Sequence, residues 1–352
     1  MSDLPVPLAS LPVEEESLVA SNPLSLWETI QARSKYLVSR LLWLFALITL
    51  LYFALRNAPL ADIWNTLKQL QLWQIGILLA INSLIYALIT LRWWIIVRAE
   101  AKAVPYFPML AVRIAVFGVS YFTLGPQVGG EPLQVLYLQR KYGLTYTRAA
   151  ASVFMDKLLE FLANFFLMAV GLTAIFHAGI FSRNGSNSFV SLSGLVILFL
   201  WPPLQVILMM RGIYPVSAIL RKISNNKFAR FIFAFERMAG TFCQRHFYAL
   251  LAAMGVSLLA AVGILSEYFF IISFLHIDLT FSQTIAAWTA GWLAFLVPLP
   301  GGLGVLEASQ VFALGAFSIS AASAISVTFL IRGRDLLIGG LGLLFAGHSV
   351  RK

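Results

Sequence analysis

Charge and cysteine are what this sequence has least of. Only 11% of its 352 residues are Asp, Glu, Lys or Arg, while 60% are hydrophobic. A soluble fold of that composition would expose apolar surface on every side, which excludes most soluble enzymes and nucleic-acid-binding domains. The single cysteine, Cys243, excludes a disulfide framework and a paired-cysteine metal site. The histidines His177, His246, His276 and His348 have no ligand spacing, so neither a metal nor a cofactor is expected. A basic n-region ahead of an apolar core is also lacking at the start. Residues 1–35, with Pro5, Pro7, Pro12 and the run Glu14, Glu15, Glu16, are expected to be a disordered or interfacial cytoplasmic tail rather than a signal peptide.

What the chain does have is long stretches free of Asp, Glu, Lys and Arg, at 41–55, 69–91, 114–130, 161–182, 184–210, 246–266, 279–306, 308–331 and 336–350. A helix needs about 20 residues to cross the hydrocarbon core, and no outer-membrane-barrel alternation is present. The expectation is an all-α polytopic membrane protein. Its formal charge of +10 then belongs to cytoplasmic loops beside anionic lipid, not to a nucleic-acid surface. Arg33, Lys35 and Arg40, then Arg98 and Lys102, then Arg140, Lys141 and Arg148, then the basic loop 211–245, and finally Arg351 and Lys352, place the N-terminus, those loops and the C-terminus in the cytoplasm. In the loop 211–245 seven cations stand against Glu236 alone, with apolar and basic residues interleaved at helical spacing. That pattern predicts an amphipathic helix on the anionic inner leaflet.

Two apolar stretches are broken by glycine and proline. Residues 105–138 contain Gly125, Pro126, Gly129, Gly130 and Pro132; residues 282–318 contain Pro298, Pro300, Gly301, Gly302 and Gly304. Each reads as a re-entrant hairpin, the first entering from the cytoplasm and the second from outside. This gives about six spanning helices and two hairpins; about eight full spans is the alternative. The hairpins carry similar punctuation, GPQVGGE ending at Glu131 and PLPGGLGVLE ending at Glu307, and each glutamate precedes a charged position by the same interval, at Asp156 and at Arg332. Small residues approach both positions, AAASV at 149–153 and SAASAISV at 320–327. Together these predict an inverted-topology repeat, with half-repeats about 36–182 and 184–350, as in transporters.

Ionisable groups at membrane depth are costly unless paired or wetted, and so are candidates for function. They are Arg92, Arg113, Glu131, Asp156, Lys157, Glu160, Glu267, Glu307, Arg332, Arg334 and Asp335. Residues 321–350 would form one helix with Asp335 near its middle. Glu131, Glu307, Arg332, Arg334, Asp335, Asp156 and Arg92 form the expected substrate-binding set, with phosphate meeting free N–H groups at the helix breaks. A structural ion cluster is the competing reading. No Ser/His/Asp arrangement and no phosphate-gripping loop is present, so no catalytic residue and no enzymatic activity is expected. GGLG at 339–342 reads as close helix packing, and the tryptophans as interface anchors or packing.

The set RWW at 92–94, GGE at 129–131, AAASVFMDKLLE at 149–160, PLPGGLGVLEA at 298–308 and IRGRD at 331–335 resembles the lysylphosphatidylglycerol synthase transmembrane region, also called the flippase-like domain family. The resemblance covers roughly residues 36–350 and implies movement of a polar-headed lipid between leaflets of the bacterial cytoplasmic membrane. That lipid would be a phospholipid, a hopanoid or a lipid-linked sugar. Glu131, Glu307 and Arg332 carry over by position; Lys157 stands where relatives more typically show arginine. The synthase form needs a soluble C-terminal domain, and the sequence ends soon after its last apolar run, so aminoacyl transfer by this chain alone is not expected. The alternative function is a non-catalytic lipid-binding accessory subunit, with a partner transferase or a second copy of the chain as neighbour.

Overall fold

The computed structural model describes residues 64–350 except 66, 102–103, 123–128, 178–199, 201–202, 216–217, 219–226, 297–301 and 303. All of these belong to the compact unit Leu50–Lys352. The expected tail, the run 41–55, most of 184–210, the glycines and prolines at 125–126 and 298–301, Arg221, Lys222, Arg351 and Lys352 lie outside the described residues. Within them the chain is all-α, without a strand. The bounded helices are α1 (Leu72–Glu100), α2 (Tyr106–Phe122), α3 (Glu131–Tyr142), α4 (Tyr146–His177), α5 (Lys227–Arg245), α6 (Phe247–Phe274), α7 (Phe281–Ala294), α8 (Val305–Gly315) and α9 (Ala321–Val350). Residues 203–210 are also helical.

Length and composition make this a polytopic membrane protein. Helices α1, α6 and the stretch Tyr146–Ile175 of α4 are long and apolar enough to span a bilayer. Their exposed side chains include Leu79, Leu84, Phe161, Phe165, Leu258, Leu259 and Val262, as lipid contact requires. The 30-residue α9 is equally long but carries Arg332, Arg334 and Asp335 near its centre, as the sequence predicted. Helix α5 begins at Lys227 within the basic loop and packs Ala239, Phe242 and Cys243 against Met155, Leu159, Leu250 and Ala253 of α4 and α6. Its outer side carries the exposed Arg237, so the expected amphipathic helix is present.

Both glycine-rich segments are broken helices. The pieces α2, α3, α7 and α8 have 17, 12, 14 and 11 residues, each roughly 17–26 Å long at 1.5 Å per residue and short of the ~30 Å hydrocarbon core. In the second hairpin Gln310 meets Ala287, Leu306 meets Gly291 and Gly302 meets Phe295, so α7 and α8 run antiparallel. The reversal needs left-handed backbone, supplied by Gly302 (φ 63°) and Gly304 (φ 79°). In the first hairpin Gly130 donates its N–H to Ser120 Oγ at 2.8 Å, joining the start of α3 to the end of α2. Pro132 sits in the first turn of α3, where its missing N–H costs nothing.

The two halves have the same element order and mirrored partners. Trp73 meets Phe274, Asn82 meets Glu267 and Ile85 meets Gly263, so α1 and α6, equivalent helices, cross antiparallel. Each hairpin packs against the last helix of the other half. Ser282 of α7 donates to the Ala174 carbonyl of α4 at 3.3 Å, and Gly171 of α4 abuts Thr289 of α7. Likewise Gly118 of α2 abuts Gly339 and Leu343 of α9, and Gly342 abuts the Ile114 carbonyl. The glycines of GGLG therefore permit backbone-to-backbone contact. A Cβ at Gly118 would stand 2.6 Å from the Gly339 oxygen and 2.9 Å from the Leu343 nitrogen. Gly118→Val is expected to lower stability by about 1–3 kcal/mol or more, since backbone must yield. A melting temperature in detergent equal to wild type would contradict this packing.

Candidate functional site

Three ion clusters occupy the interior, each built across helices. The first joins α1, α2, α3 and α4. Arg92 donates from Nε to Asp156 Oδ1 at 2.6 Å and from Nη2 to Glu160 Oε2 at 2.9 Å. Arg113 donates to Asp156 Oδ2 at 2.7 Å and to Glu160 Oε2 at 3.3 Å. Lys157 Nζ lies 3.2 Å from Glu160 Oε1 and 3.4 Å from Glu131 Oε1. The one-turn spacings 156–160 and 157–160 on α4 present these charges along one side of that helix. Three cations face three carboxylates, so the cluster is neutral.

The second cluster joins α1, α6 and α9. Arg334 Nη1 donates to Glu267 Oε2 at 2.6 Å, and Arg334 Nε and Nη2 reach Asp335 Oδ1 at 2.8 and 2.7 Å. Asn82 Nδ2 donates to the other oxygen of Glu267. In the third, Arg332 binds Glu307 through Nε and through Nη2 at 2.9 Å, and Nη2 also donates to the Gly302 carbonyl at 3.1 Å. This pair clamps the tip of the second hairpin to α9.

Both hairpin glutamates fold back on their own backbone. Glu131 Oε2 accepts from Gly129 N–H at 2.7 Å and Glu307 Oε2 from Gly304 N–H at 2.8 Å. The expected phosphate seats at the helix breaks thus have these N–H groups taken by carboxylates, a capping arrangement that suits the helix dipole.

Between the clusters lies a cavity of about 270 Å³ lined by α1, α2, α3, α4, α6, α7, α8 and α9. Of the seven expected binding residues, Arg92, Glu131, Arg334 and Asp335 line it. Asp156 lies behind them, fully buried between Arg92 and Arg113. Glu307 and Arg332 are not among its lining residues. Arg113, Lys157, Glu160 and Glu267, recognised in the sequence as deep charges but left out of the binding set, do line it. Four cations and four carboxylates therefore face one chamber.

Sequence reasoning missed the uncharged polar wall. Asn82, Tyr86, Asn164, Ser257 and Gln310 line the cavity, as do Trp288 and Trp292, which the sequence suggested as interface anchors or packing. Gln310 donates to the Ala287 carbonyl at 2.9 Å and accepts from Tyr268 Oη at 2.6 Å. A usable signal existed: Gln310 follows Glu307 by three residues, as Gln134 follows Glu131. In the first half, however, Gln134 and the neighbouring Trp93 are fully buried, and neither the amide nor Trp93 Nε1 meets a hydrogen-bond partner among the described residues. The halves share a plan but not a chemistry. His246 lies at the start of α6 with Nε2 3.4 Å from Glu100 Oε1.

Membrane-length helices and two broken hairpins around a charged cavity define a multi-pass membrane protein with an internal polar site. The chain belongs to the lysylphosphatidylglycerol synthase TM region family, whose sequence profile matches residues 36–342. Membership ties it to membrane-lipid biology, and the part that matches is the family's transmembrane region. No curated protein and no solved structure matches the chain.

Proposed function

We propose that this chain is a lipid flippase of the bacterial cytoplasmic membrane, sheltering the headgroup of a polar lipid in the charged cavity while the acyl tails remain in the bilayer. The observation that carries the reading is the chamber itself: eight charged side chains from both halves face one 270 Å³ space inside apolar helices. A bare headgroup crossing hydrocarbon loses its hydration at a cost of many kcal/mol. Side chains already paired with one another can re-pair with a phosphate or a cation without exposing an unmatched charge. The paired arginines and carboxylates of α1, α4, α6 and α9 supply both signs. The mirrored, antiparallel halves supply the pseudo-symmetry by which such a site opens to one side or the other.

In this reading both termini and α5 face the cytoplasm, where the basic side of α5 rests on anionic lipid. The chain moves lipid without altering its covalent bonds. The test is reconstitution of the purified chain into vesicles with a tail-labelled fluorescent phospholipid, leaflet exchange being read by a membrane-impermeant quencher. Exchange should exceed that of empty vesicles, and Glu131→Gln, which removes a charge from the wall, should slow it by about tenfold, equivalent to about 1.4 kcal/mol. Exchange no faster than in empty vesicles overturns the flippase reading. Lipid retained on the purified protein together with that result favours an accessory subunit that binds lipid for a partner transferase.

A further inference from the structure

Among the described residues the charges of the three clusters do not balance. Arg92, Arg113 and Lys157 match Glu131, Asp156 and Glu160, and Arg332 matches Glu307, but Arg334 alone serves both Glu267 and Asp335. The excess carboxylate is deep: the Glu267 and Asp335 side chains are 3% and 7% exposed. From α1 the groups facing them are Asn82, which donates to Glu267, and Tyr86, and from α2 Tyr121; Arg113 of α2 lines the same cavity but is held by Asp156 and Glu160. On α9 itself Arg332 acts on Asp335 from a distance but is bound by Glu307 of α8. Among the described residues none of these is a cation reserved for the second carboxylate. An ionised carboxylate without its own counter-charge in such a place costs several kcal/mol and relieves that cost by taking up a proton.

We infer that Glu267, Arg334 and Asp335 form a one-proton site opening on the cavity, and that this proton exchanges with solvent during each transport cycle. This deepens the flippase reading and rests on it for the coupling, though not for the site itself. The chemistry balances simply. The carboxyl O–H bond breaks with its electron pair left on oxygen, and the proton passes to water reaching the cavity from one side of the membrane. The bond re-forms with a proton taken from the other side. One proton moves per cycle, which lets lipid movement draw on a proton gradient without a nucleotide site.

The charge count gives this site a signature that an ordinary buried acid lacks. With one guanidinium for two carboxylates, amidation of either residue removes the excess, and the remaining carboxylate ionises against Arg334. Infrared spectra of the reconstituted full chain should show the carbonyl stretch of one protonated carboxyl in wild type, and both Glu267→Gln and Asp335→Asn should abolish it. A band that persists in either variant, or no such band in wild type, overturns the one-proton site. Arg334→Gln adds a check from the opposite direction: with no cation left, the band should roughly double, and an unchanged band also counts against the site. Coupling is read separately, in the fluorescent-lipid vesicles under an imposed pH gradient. The gradient should accelerate exchange several-fold in wild type and leave both amide variants unaffected. A wild type that exchanges lipid at a rate indifferent to the gradient overturns coupling. A protein that shows the band but exchanges no lipid keeps the proton site and loses the flippase reading.

Discussion

Asp156→Asn is expected to destabilise the folded protein by about 3–5 kcal/mol, because it leaves two buried guanidinium groups with one carboxylate. Asp156 is fully buried, each of its oxygens takes one arginine at 2.6–2.7 Å, and the amide keeps its size while discarding its charge. The effect therefore isolates electrostatics from packing. It should appear as a large fall in melting temperature in detergent. The double variant Asp156→Asn with Arg113→Met should recover part of the loss, since it restores equal numbers of cations and carboxylates in the cluster. Equal melting temperatures for wild type and Asp156→Asn would show that the arginines find water and that this interior is wet.

Filling the chamber should have the largest effect on transport. Ala260 faces the cavity from α6 and is almost fully buried. Ala260→Phe inserts a ring into a space of only about 270 Å³ and is expected to cut lipid exchange on the order of tenfold or more, a barrier increase of at least about 1.4 kcal/mol. Stability should fall by about 1–3 kcal/mol as neighbours adjust. Exchange per folded molecule must therefore be compared with a melting curve on the same sample. A stable Ala260→Phe protein that exchanges lipid at the wild-type rate would place the path elsewhere, along the outside of the helices.

Much of this was legible before any coordinates. The charge-free runs predicted α1, α4, α6 and α9, and the glycine-rich punctuation predicted two breaks, because helix length and backbone freedom are local properties. Pairing was legible only where it followed the repeat. The interval from Glu307 to Arg332 marks a real ion pair, and the interval from Glu131 to Asp156 misses its partner, Lys157, by one residue. Arg92 with Asp156 and Glu267 with Arg334 are not deducible from spacing, since which helices cross is decided by packing. The polar wall was hidden for another reason. Trp288, Trp292 and Tyr268 count toward apolar composition, although each carries a donor that a cavity can use. Glu307 and Arg332, beside the second helix break, do not line the chamber, because which side of a break faces a cavity is decided by packing. In the structure the pair secures the hairpin tip instead.

The exchange of hairpins between halves bears on how the protein is made. The first half contains its own three-and-three set of charges, so it can enter the bilayer during synthesis as an electrically neutral unit. Its α2, which meets its partner at Gly118, has that partner, α9, at the far end of the chain. That surface must wait, covered by lipid or by a chaperone, until translation is nearly complete. The last helix then docks as the closing element, delivering Arg332, Arg334 and Asp335 together with the glycine face. A ribosome stalled before α9 would leave in the membrane an unlocked intermediate in which Glu267 and Glu307 lack their arginines, and quality-control proteases of the membrane would find their target there.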